Sequence, residues 1–518
     1  MTRIPASWRA AAAFLPVLAV LGPWLFALMG TSLNTNHAWL TICAQRLLDG
    51  GKPLTDFYEP NPPLSIMLYV PGVLLARLTG IPVWYMPYIV GLAAMALSIL
   101  AVRTLLRRWP VLDEAERMAF IGAYAGASTL LASRMFFAER DEYVVWGLLP
   151  FLIAQLAVTR AAPLPRWLLW AVFLPGAAAI LIKPHYVLLP AVLILHRMAV
   201  RRKFFSVLID ADVLALLAAA GAYALAVALF FPGYVTVILP DFIRFYIPIY
   251  RTLALGKALR GAALLAVLLA AAQWGPGVSP AARRAARLCV GAAAWCGALF
   301  VLQGKGNYYQ EIPFMVFAFC GAVLCLQGML ARVCRADIAT GAALAAAAVF
   351  GFIVTPVKAG FPTHADYRQM ELTKIAAQSG GSFFVFGEGM EMIHQAALYS
   401  GAMQASRFPD LWWLDGMLEG WAAPEKEKFY ADMVAADLAR WKPQMLAIDI
   451  NIYRGNYRGQ GNYFDLITFL SDHSPSFKQE MIHYRREGEL LDNRGTYFRG
   501  TASGFNRTVD YALYRRIP

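Results

Sequence analysis

Long apolar segments separated by short polar loops constrain this chain more than any other feature. They recur from Phe14 to about Val357, and stretches such as Ala211–Phe231 carry almost no charge. Of the 518 residues, 59% are hydrophobic and 15% are charged, whereas a soluble protein carries about 25% charged residues. A helix needs roughly 20 apolar residues to cross a bilayer core of about 30 Å. The sequence therefore predicts a polytopic α-helical membrane protein.

The positions of the basic residues predict how the chain crosses the membrane. The net charge of +13 belongs to the first part of the chain, because the residues from Lys358 onward include 18 Lys and Arg against 19 Asp and Glu. Basic clusters on alternate loops are typical of cytoplasmic loops, so no nucleic-acid partner is needed to explain the charge. With a cytoplasmic N-terminus we expect about eleven spans, and we expect Pro63–Leu78 to be an interfacial or re-entrant helix. The spans are predicted at 14–29, 84–106, 118–133, 143–159, 167–182, 185–199, 211–231, 258–274, 287–302, 311–330 and 337–356.

The composition changes after Val357, where short apolar runs alternate with helical stretches. This alternation predicts a small α/β domain on the outer, periplasmic face. We therefore expect a transmembrane domain at 1–357, with an outer loop at 31–83, followed by an α/β domain at 358–518. The predicted strands are Ser382–Phe386, Gln444–Ile450 and Tyr511–Arg515, and the predicted helices are Met390–Tyr399 and Lys426–Trp441.

The first outer loop carries two carboxylates, Asp56 and Glu59, in a Pro- and aromatic-rich segment beside the lipid surface. A carboxylate there can ionise in water, while its low-dielectric surroundings raise its basicity, so either could act as a general base. The alternative is structural: Asp56 would cap a turn and Glu59 would be solvated.

The second outer loop carries the run Glu139-Arg140-Asp141-Glu142 between two apolar spans. Charged groups are too costly to place in hydrocarbon, so they face water or a cavity. Glu139 and Asp141 could act as a base or hold a cation, and Arg140 could bind a phosphate through two parallel hydrogen bonds. An interfacial anchor is the alternative.

Two further outer loops carry cations. Lys183 and His185 flank Pro184 at a junction between helices, and Lys305 lies in the Gly-rich run from Gln303 to Glu311. These side chains suit a phosphate, although snorkelling to the interface and a plain turn explain them equally well locally. The shared side of all four clusters is the stronger evidence, and it suggests an integral membrane enzyme.

Together these motifs resemble the bacterial GT-C membrane glycosyltransferases, the superfamily that includes protein O-mannosyltransferases and lipid A aminoarabinose transferases. Asn34–Leu64 is similar to the family's first outer loop, with its ending Asp56-Phe-Tyr-Glu-Pro-Asn-Pro-Pro-Leu64. The Glu139-Arg140-Asp141 run is similar to the family's second-loop motif. The Lys183-Pro184-His185 run and the segment from Gln303 to Tyr309 are similar to further motifs of one branch.

The resemblance implies a GT-C-like fold and inverting transfer of a sugar from a polyprenyl-phosphate donor to a glycan, lipid or protein acceptor at the periplasmic side of the inner membrane. It implies a carboxylate base, cations that neutralise the leaving phosphate, and in some members a divalent cation, Mg²⁺ or Mn²⁺, for which Glu139 is the candidate ligand. The family usually has an acid just after the first helix, where this chain has Asn36 and then His37. The candidate catalytic residues are Asp56, Asp141, Glu59 and His37; Arg140, Lys183, His185 and Lys305 are expected to bind phosphate, and Tyr58, Asn61 and Tyr309 the substrate.

Three other functions are alternatives to this interpretation. An O-antigen-ligase-like or polymerase-like enzyme would use a pyrophosphate-linked oligosaccharide. A transporter of lipid-linked glycans should carry charges near the bilayer midplane and show matching halves, and neither is evident. A sugar-binding tail, with aromatic residues such as Trp412 stacking on sugars, would not need so many spans for anchoring.

Overall fold

Helices make up most of the chain, and one β-sheet lies near its C-terminus. The computed structural model describes residues 24–25, 28, 33–131, 136–202, 204–248, 255–304, 307–354, 373–387, 393–449, 465–490 and 511–518. Its α-helices are α1 Thr35–Leu48, α2 Leu64–Met67, α3 Val70–Thr79, α4 Met86–Arg108, α5 Glu114–Leu130, α6 Arg140–Thr159, α7 Arg166–Ile182, α8 Leu188–Arg201, α9 Phe204–Leu208, α10 Ala211–Phe230, α11 Leu239–Asp241, α12 Leu255–Trp274, α13 Pro280–Gln303, α14 Ile312–Leu330, α15 Ala336–Val354, α16 Ile393–Ser400, α17 Leu414–Leu418, α18 Pro424–Trp441, α19 Leu466–His473 and α20 Pro475–Met481. Single turns of 3₁₀-helix lie at Val83–Tyr85, Pro184–Val187 and Tyr308–Glu311, and π-helical turns lie at Tyr234–Ile238 and Phe242–Tyr246.

Six of the described helices are long and apolar enough to cross a membrane, which confirms the prediction of a multi-pass α-helical membrane protein. The predicted number of eleven spans is not established by these six. Most of the first predicted span, 14–29, lies outside the described residues, and Pro63–Leu78, expected at the interface, forms the short helices α2 and α3. The six helices are Val83–Arg108, Arg140–Thr159, Ala211–Phe230, Gly256–Trp274, Pro280–Gln303 and Tyr309–Leu330; shorter apolar helices are Leu64–Thr79, Arg166–Ile182 and Ala336–Val349.

The chain divides into two compact units, and neither is continuous in sequence. The first, here called the membrane unit, comprises Met1–Thr31, Pro87–Leu225 and Leu253–Phe361. The second, here called the sheet unit, comprises Ser32–Met86, Ala226–Thr252 and Pro362–Pro518. The last segment of the membrane unit ends at Phe361, four residues after the boundary predicted at 357, and the sheet unit also takes in most of the first outer loop.

Glycines allow α6 and α7 to pack closely in the membrane unit. A Cβ atom added at Gly147 would overlap the Cβ of Ala179 and lie 3.2 Å from the Cα of Gly176. Small residues at such a crossing let two backbones approach, which is the usual basis of helix association in membranes. The close approach matters because α6 carries the Glu139–Glu142 run at its N-terminal end, and α7 ends at Lys183.

We expect Gly147→Ala to destabilise the protein by about 1–3 kcal/mol, because the added methyl group forces the two helices apart. Gly221→Ala in α10 is the matched control, since a Cβ there meets no atom within 4 Å. The control should leave stability unchanged or raise it slightly, because Ala favours a helix over Gly. Thermal unfolding in detergent measures both, and equal midpoints for the two variants would contradict the close packing.

A buried charge cluster ties α6, α8 and the start of α10 together near the C-terminal end of α6. Arg197 is fully buried and donates from Nη2 to both carboxylate oxygens of Asp212, at 2.8 and 2.7 Å. Gln155 donates to Asp212 Oδ2 at 2.9 Å and to the carbonyl of Pro190 at 3.1 Å. Arg197 is therefore a buried ion-pair partner and not a solvated basic residue of a loop.

The five strands of the sheet unit form one mixed sheet in the order β2-β1-β3-β5-β4. Strands β2, β1 and β3 are parallel, and β5 and β4 are antiparallel to their neighbours. The α/β prediction is confirmed, with predicted strands at β1, β3 and β5, whereas β2 and β4 escaped the sequence analysis. The strands are β1 Ser382–Phe386, β2 Met403–Gln404, β3 Met445–Asp449, β4 Tyr484–Leu490 and β5 Tyr511–Arg516.

The core of the sheet unit mixes side chains that are distant in sequence. Trp39 of α1 and Tyr58 of the first outer loop belong to the same buried cluster as Phe384 of β1 and Trp413. Burial of such aromatic surface contributes about 25 cal/mol per Å², so these segments stabilise one another. The first outer loop is therefore folded together with the C-terminal sheet.

Candidate active site

A run of four charged residues is buried at the N-terminal end of α6. The exposed fractions are 0% for Glu139, 5% for Arg140, 0% for Asp141 and 1% for Glu142. The preceding residue, Ala138, has a left-handed backbone with φ of 66°, and its N–H donates to the Glu142 carboxylate. A helix N-terminus favours acidic groups in its first turn, which is where Asp141 and Glu142 lie.

Asp141 pairs with Lys183 inside the membrane unit. The Lys183 Nζ lies 2.6 Å from Asp141 Oδ2, and the Tyr186 hydroxyl donates to Asp141 Oδ1 over 3.4 Å. Lys183 also lies over the Tyr309 ring, 5.6 Å from its centroid. Lys183 is the residue that follows α7, and Pro184, which cannot continue the helix, begins a 3₁₀ turn directly after it. Three sequence-predicted residues, Asp141, Lys183 and Tyr309, are thus brought together.

His185 contributes a hydrogen-bonding group to the same turn. Its Nε2 lies 3.3 Å from Gln303 Nε2, at the C-terminal end of α13. Burial, with a smaller contribution from the nearby Lys183 charge, lowers the pKa of His185 to about 4, so the imidazole is neutral at pH 7. His185 can therefore offer a hydrogen bond but not the positive charge that the sequence predicts. Lys305 lies outside the described residues.

Glu139 and Arg140 lie side by side, with Glu139 Oε2 4.0 Å from Arg140 Nε. In the described part of the chain, no three His, Cys, Asp or Glu side chains are grouped to hold a metal ion. A divalent cation at Glu139 stays a prediction. Tyr186 and Gln303 were missed as site residues, although both belong to motifs that the sequence analysis had singled out.

In the sheet unit, Asp56 is engaged on both carboxylate oxygens. Oδ2 accepts from the Lys52 N–H at 2.7 Å, and Oδ1 pairs with Arg440 Nη2 at 2.5 Å. Partial burial raises the pKa of Asp56, but the hydrogen bonds from Lys52 and Arg440 outweigh it and hold the pKa below its usual value. These contacts match the structural alternative, in which Asp56 holds a turn.

Glu59 is buried and holds its own loop. Its Oε2 accepts from Trp39 Nε1 at 2.5 Å, and its Oε1 accepts from the Asn61 backbone N–H at 2.7 Å and from the Asn61 side-chain amide. The structural alternative expected Glu59 to be solvated, and in this respect it is wrong, because the carboxylate is buried. It fixes Asn61, which stays partly exposed.

His37 and Tyr58, the other candidates in the sheet unit, are both buried. The Nδ1 atom of His37 lies 2.5 Å from the Tyr69 hydroxyl. The Tyr58 and Tyr430 hydroxyls lie 2.8 Å apart, and Tyr430 donates to Asp241. The candidates from the first outer loop therefore belong to the sheet unit, whereas Asp141, Lys183, His185 and Tyr309 belong to the membrane unit.

The helices and the buried charges define a multi-pass membrane protein with a polar site at the ends of its helices and an α/β sheet unit. Among solved structures, the chain is similar to ArnT from Cupriavidus metallidurans in the apo state, with 14% identity over 85% of this chain and 93% of that chain and a TM-score of 0.41. The same protein bound to undecaprenyl phosphate gives 13% identity over the same shares and a TM-score of 0.39. The arabinofuranosyltransferase AftD from Mycobacteria gives 14% identity over 99% of this chain and 42% of that chain, with a TM-score of 0.44.

No family model and no curated protein sequence matches the chain. Identities this low do not carry a function from one chain to another. The function proposed below therefore rests on the residues of this chain.

Proposed function

We propose that this protein is an integral membrane glycosyltransferase of the GT-C type, which moves a sugar from a polyprenyl-phosphate donor to an acceptor on the periplasmic side with inversion. The observation that carries the proposal is the buried Asp141–Lys183 pair beside Arg140, at the end of a membrane-length helix. A lipid-linked donor places its phosphate at the boundary between hydrocarbon and water. A site for it needs cations there and no nucleotide pocket.

Lys183 and Arg140 would hold the donor phosphate, with His185 as a neutral hydrogen-bonding partner. In the transfer, the acceptor oxygen forms a bond to the anomeric carbon, and the bond from that carbon to the phosphate oxygen breaks. The phosphate leaves with the bonding electrons, so negative charge builds up on its oxygens in the transition state. Preorganised cations stabilise that charge most effectively in a site that excludes water.

Asp141 would accept the proton of the acceptor hydroxyl. In the free protein its carboxylate is paired with Lys183. When the donor phosphate pairs with Lys183, the Asp141 carboxylate is released from that ion pair and can accept a hydrogen bond from the acceptor hydroxyl. Binding of the donor would thus prepare the base for the second substrate.

In the sheet unit, we assign Asp56 and Glu59 to holding the loop, because both carboxylates already accept hydrogen bonds there. Asn61, which Glu59 fixes, would bind sugar hydroxyls. His37 and Tyr58 would support this loop from the core. Besides the donor, the protein would contact membrane lipids and would bind a glycan, lipid or protein acceptor.

The test uses purified protein in lipid nanodiscs with two donors, a polyprenyl-phosphate monosaccharide and a polyprenyl-pyrophosphate oligosaccharide. We expect transfer from the first donor only. Transfer from the second donor alone would favour the ligase-like or polymerase-like alternative, and donor movement across the bilayer without transfer would favour the transporter.

Binding of polyprenyl phosphate without a sugar tests the phosphate site separately. Lys183→Met should weaken it by at least about tenfold, the value of one charge-assisted contact of about 1.5 kcal/mol. Lys257→Met is the matched control, because Lys257 also pairs with an acid, Glu311, in the membrane unit. Equal affinities for the two variants would remove Lys183 from the phosphate site.

A further inference from the structure

Two segments of the sheet unit run past each other and exchange hydrogen bonds. One is residues 54–61 of the first outer loop, and the other is residues 404–407, at and just after β2. The Tyr58 N–H donates to the Arg407 carbonyl at 2.6 Å. Because both segments belong to the same compact unit, this contact is part of its internal fold.

Arg407 makes a second connection with its side chain. Its Nη1 donates to the Leu54 carbonyl at 2.7 Å, and its Nε donates to Asp437 Oδ1 at 2.7 Å. Asp437, fully buried on α18, also accepts from the Arg407 backbone N–H at 2.9 Å. The guanidinium is thus aimed at the loop by a carboxylate from a helix of the C-terminal sequence.

Arg46 makes the third connection, from α1. Its Nη1 donates to the Asp56 carbonyl at 2.7 Å and to the Ser406 carbonyl at 2.6 Å, and its Nη2 donates to the Gln404 carbonyl at 2.5 Å. One guanidinium therefore binds both segments at once. We call Arg46, Arg407 and Asp437 the arginine clamp.

Burying the charged groups of the clamp costs more free energy than burying apolar side chains in the same place would. Burial raises the pKa of Asp437 to about 6, even though the nearby Arg407 opposes the shift. The ionised pair therefore remains at pH 7 against a desolvation cost that an apolar pair of similar size would avoid. Leu54 is held in the left-handed region, with φ of 68°, which only surrounding contacts can maintain. A buried ion pair that holds a strained loop indicates that residues 54–61 must keep one particular conformation.

We propose that the arginine clamp positions residues 54–61 for sugar transfer, so that Arg407 and Asp437, from the C-terminal sequence, are positioning residues of the enzyme. The inference rests on the proposed function, because this segment carries Asn61, which would bind sugar hydroxyls. The clamp residues act through the loop, not through contact with the reacting atoms. The C-terminal part of the chain would thus contribute to the reaction by positioning this loop.

The test compares Arg407→Lys and Asp437→Asn in the full chain, with Arg515→Lys as the matched control. Arg515 is in the same sheet, but its partner Glu487 is half exposed and lies outside the clamp. Hydrogen exchange of the peptide covering residues 52–61 reports on the loop without any substrate. Initial rates with the polyprenyl-phosphate sugar give kcat and KM.

In both clamp variants we expect exchange of residues 52–61 to accelerate at least about fivefold and kcat to fall about tenfold or more, because misplacing a substrate-positioning residue such as Asn61 by about 1 Å can cost 10²-fold. The donor KM should be nearly unchanged, because Lys183 and Arg140, which would hold the donor phosphate, are not altered. Arg515→Lys should leave all three unchanged. Should Arg407→Lys fail to accumulate, Asp437→Asn gives the same readouts with almost no change in volume.

Unchanged exchange in Asp437→Asn, or faster exchange with unchanged kcat, would overturn the positioning role while leaving the proposed function intact. A wild-type protein that transfers no sugar would overturn the proposed function instead. The exchange measurement would then still decide whether the clamp holds the loop.

Discussion

Replacing Asp141 with Asn is expected to lower sugar transfer by about 10³-fold or more, since general-base catalysis commonly contributes 10²–10⁴-fold. The amide keeps the size of the side chain but cannot take a proton. Donor binding should persist or become tighter, because Lys183, now without its ion-pair partner at 2.6 Å, is free for the phosphate. The loss should therefore lie in kcat, which steady-state rates and binding of polyprenyl phosphate measure separately.

Asp56→Asn is the informative comparison for this result. Asp56 lies in the sheet unit and pairs with Arg440, so we expect a much smaller loss than in Asp141→Asn. Glu311→Gln serves as a control for removing an ion-paired acid from the membrane unit. A fully active Asp141→Asn protein beside an inactive Asp56→Asn protein would move the proton acceptor to the first outer loop.

The second large effect concerns stability. Arg197→Met removes the ion-pair partner of Asp212 and leaves a buried carboxylate, to which Gln155 still donates one hydrogen bond. It also removes the contact of Arg197 with the partly exposed Asp210. Loss of one member of a buried ion pair typically costs about 3–5 kcal/mol. In a protein of this size that cost corresponds to a fall of about 5 °C in the unfolding midpoint.

The double variant Arg197→Met with Asp212→Leu should recover most of the lost stability, because it removes both charges together. Arg202→Met is the control, since Arg202 is exposed at the end of α8. Midpoints measured in detergent by size-exclusion chromatography after heating distinguish the cases. A double variant as unstable as the single one would show that the pair contributes something other than charge balance.

The parts of the fold that could be predicted follow from patterns within single segments. Apolar runs of about 20 residues predict membrane helices because the bilayer fixes their length. Strand β1 is evident as the apolar run Ser382–Phe386, bounded by glycines on both sides. Strand β2 has only two residues, Met403 and Gln404, and β4 is a charged strand, so neither has an apolar pattern to find.

The candidate site was only partly predictable, because its contacts join distant residues. The sequence predicts that Asp141 and Lys183 lie on the same side of a membrane. The contact between them, across 42 residues of chain, is visible only in the folded structure. Asp56 and Glu59 look alike in sequence, and their partners Arg440 and Trp39 decide what each carboxylate can do. Arg407 and Asp437 have no local motif, so nothing in the sequence analysis could indicate the clamp.

The sheet unit is assembled from three stretches of chain, 32–86, 226–252 and 362–518. Its core places Trp39 and Tyr58 from the first stretch against residues from the last. During synthesis the first stretch emerges from the ribosome long before its partners, and it must wait, with aromatic surface uncovered, until the final third of the polypeptide has been made. An excised tail lacking residues 32–86 would likewise lack part of its own interior, so this region cannot be treated as a detachable module.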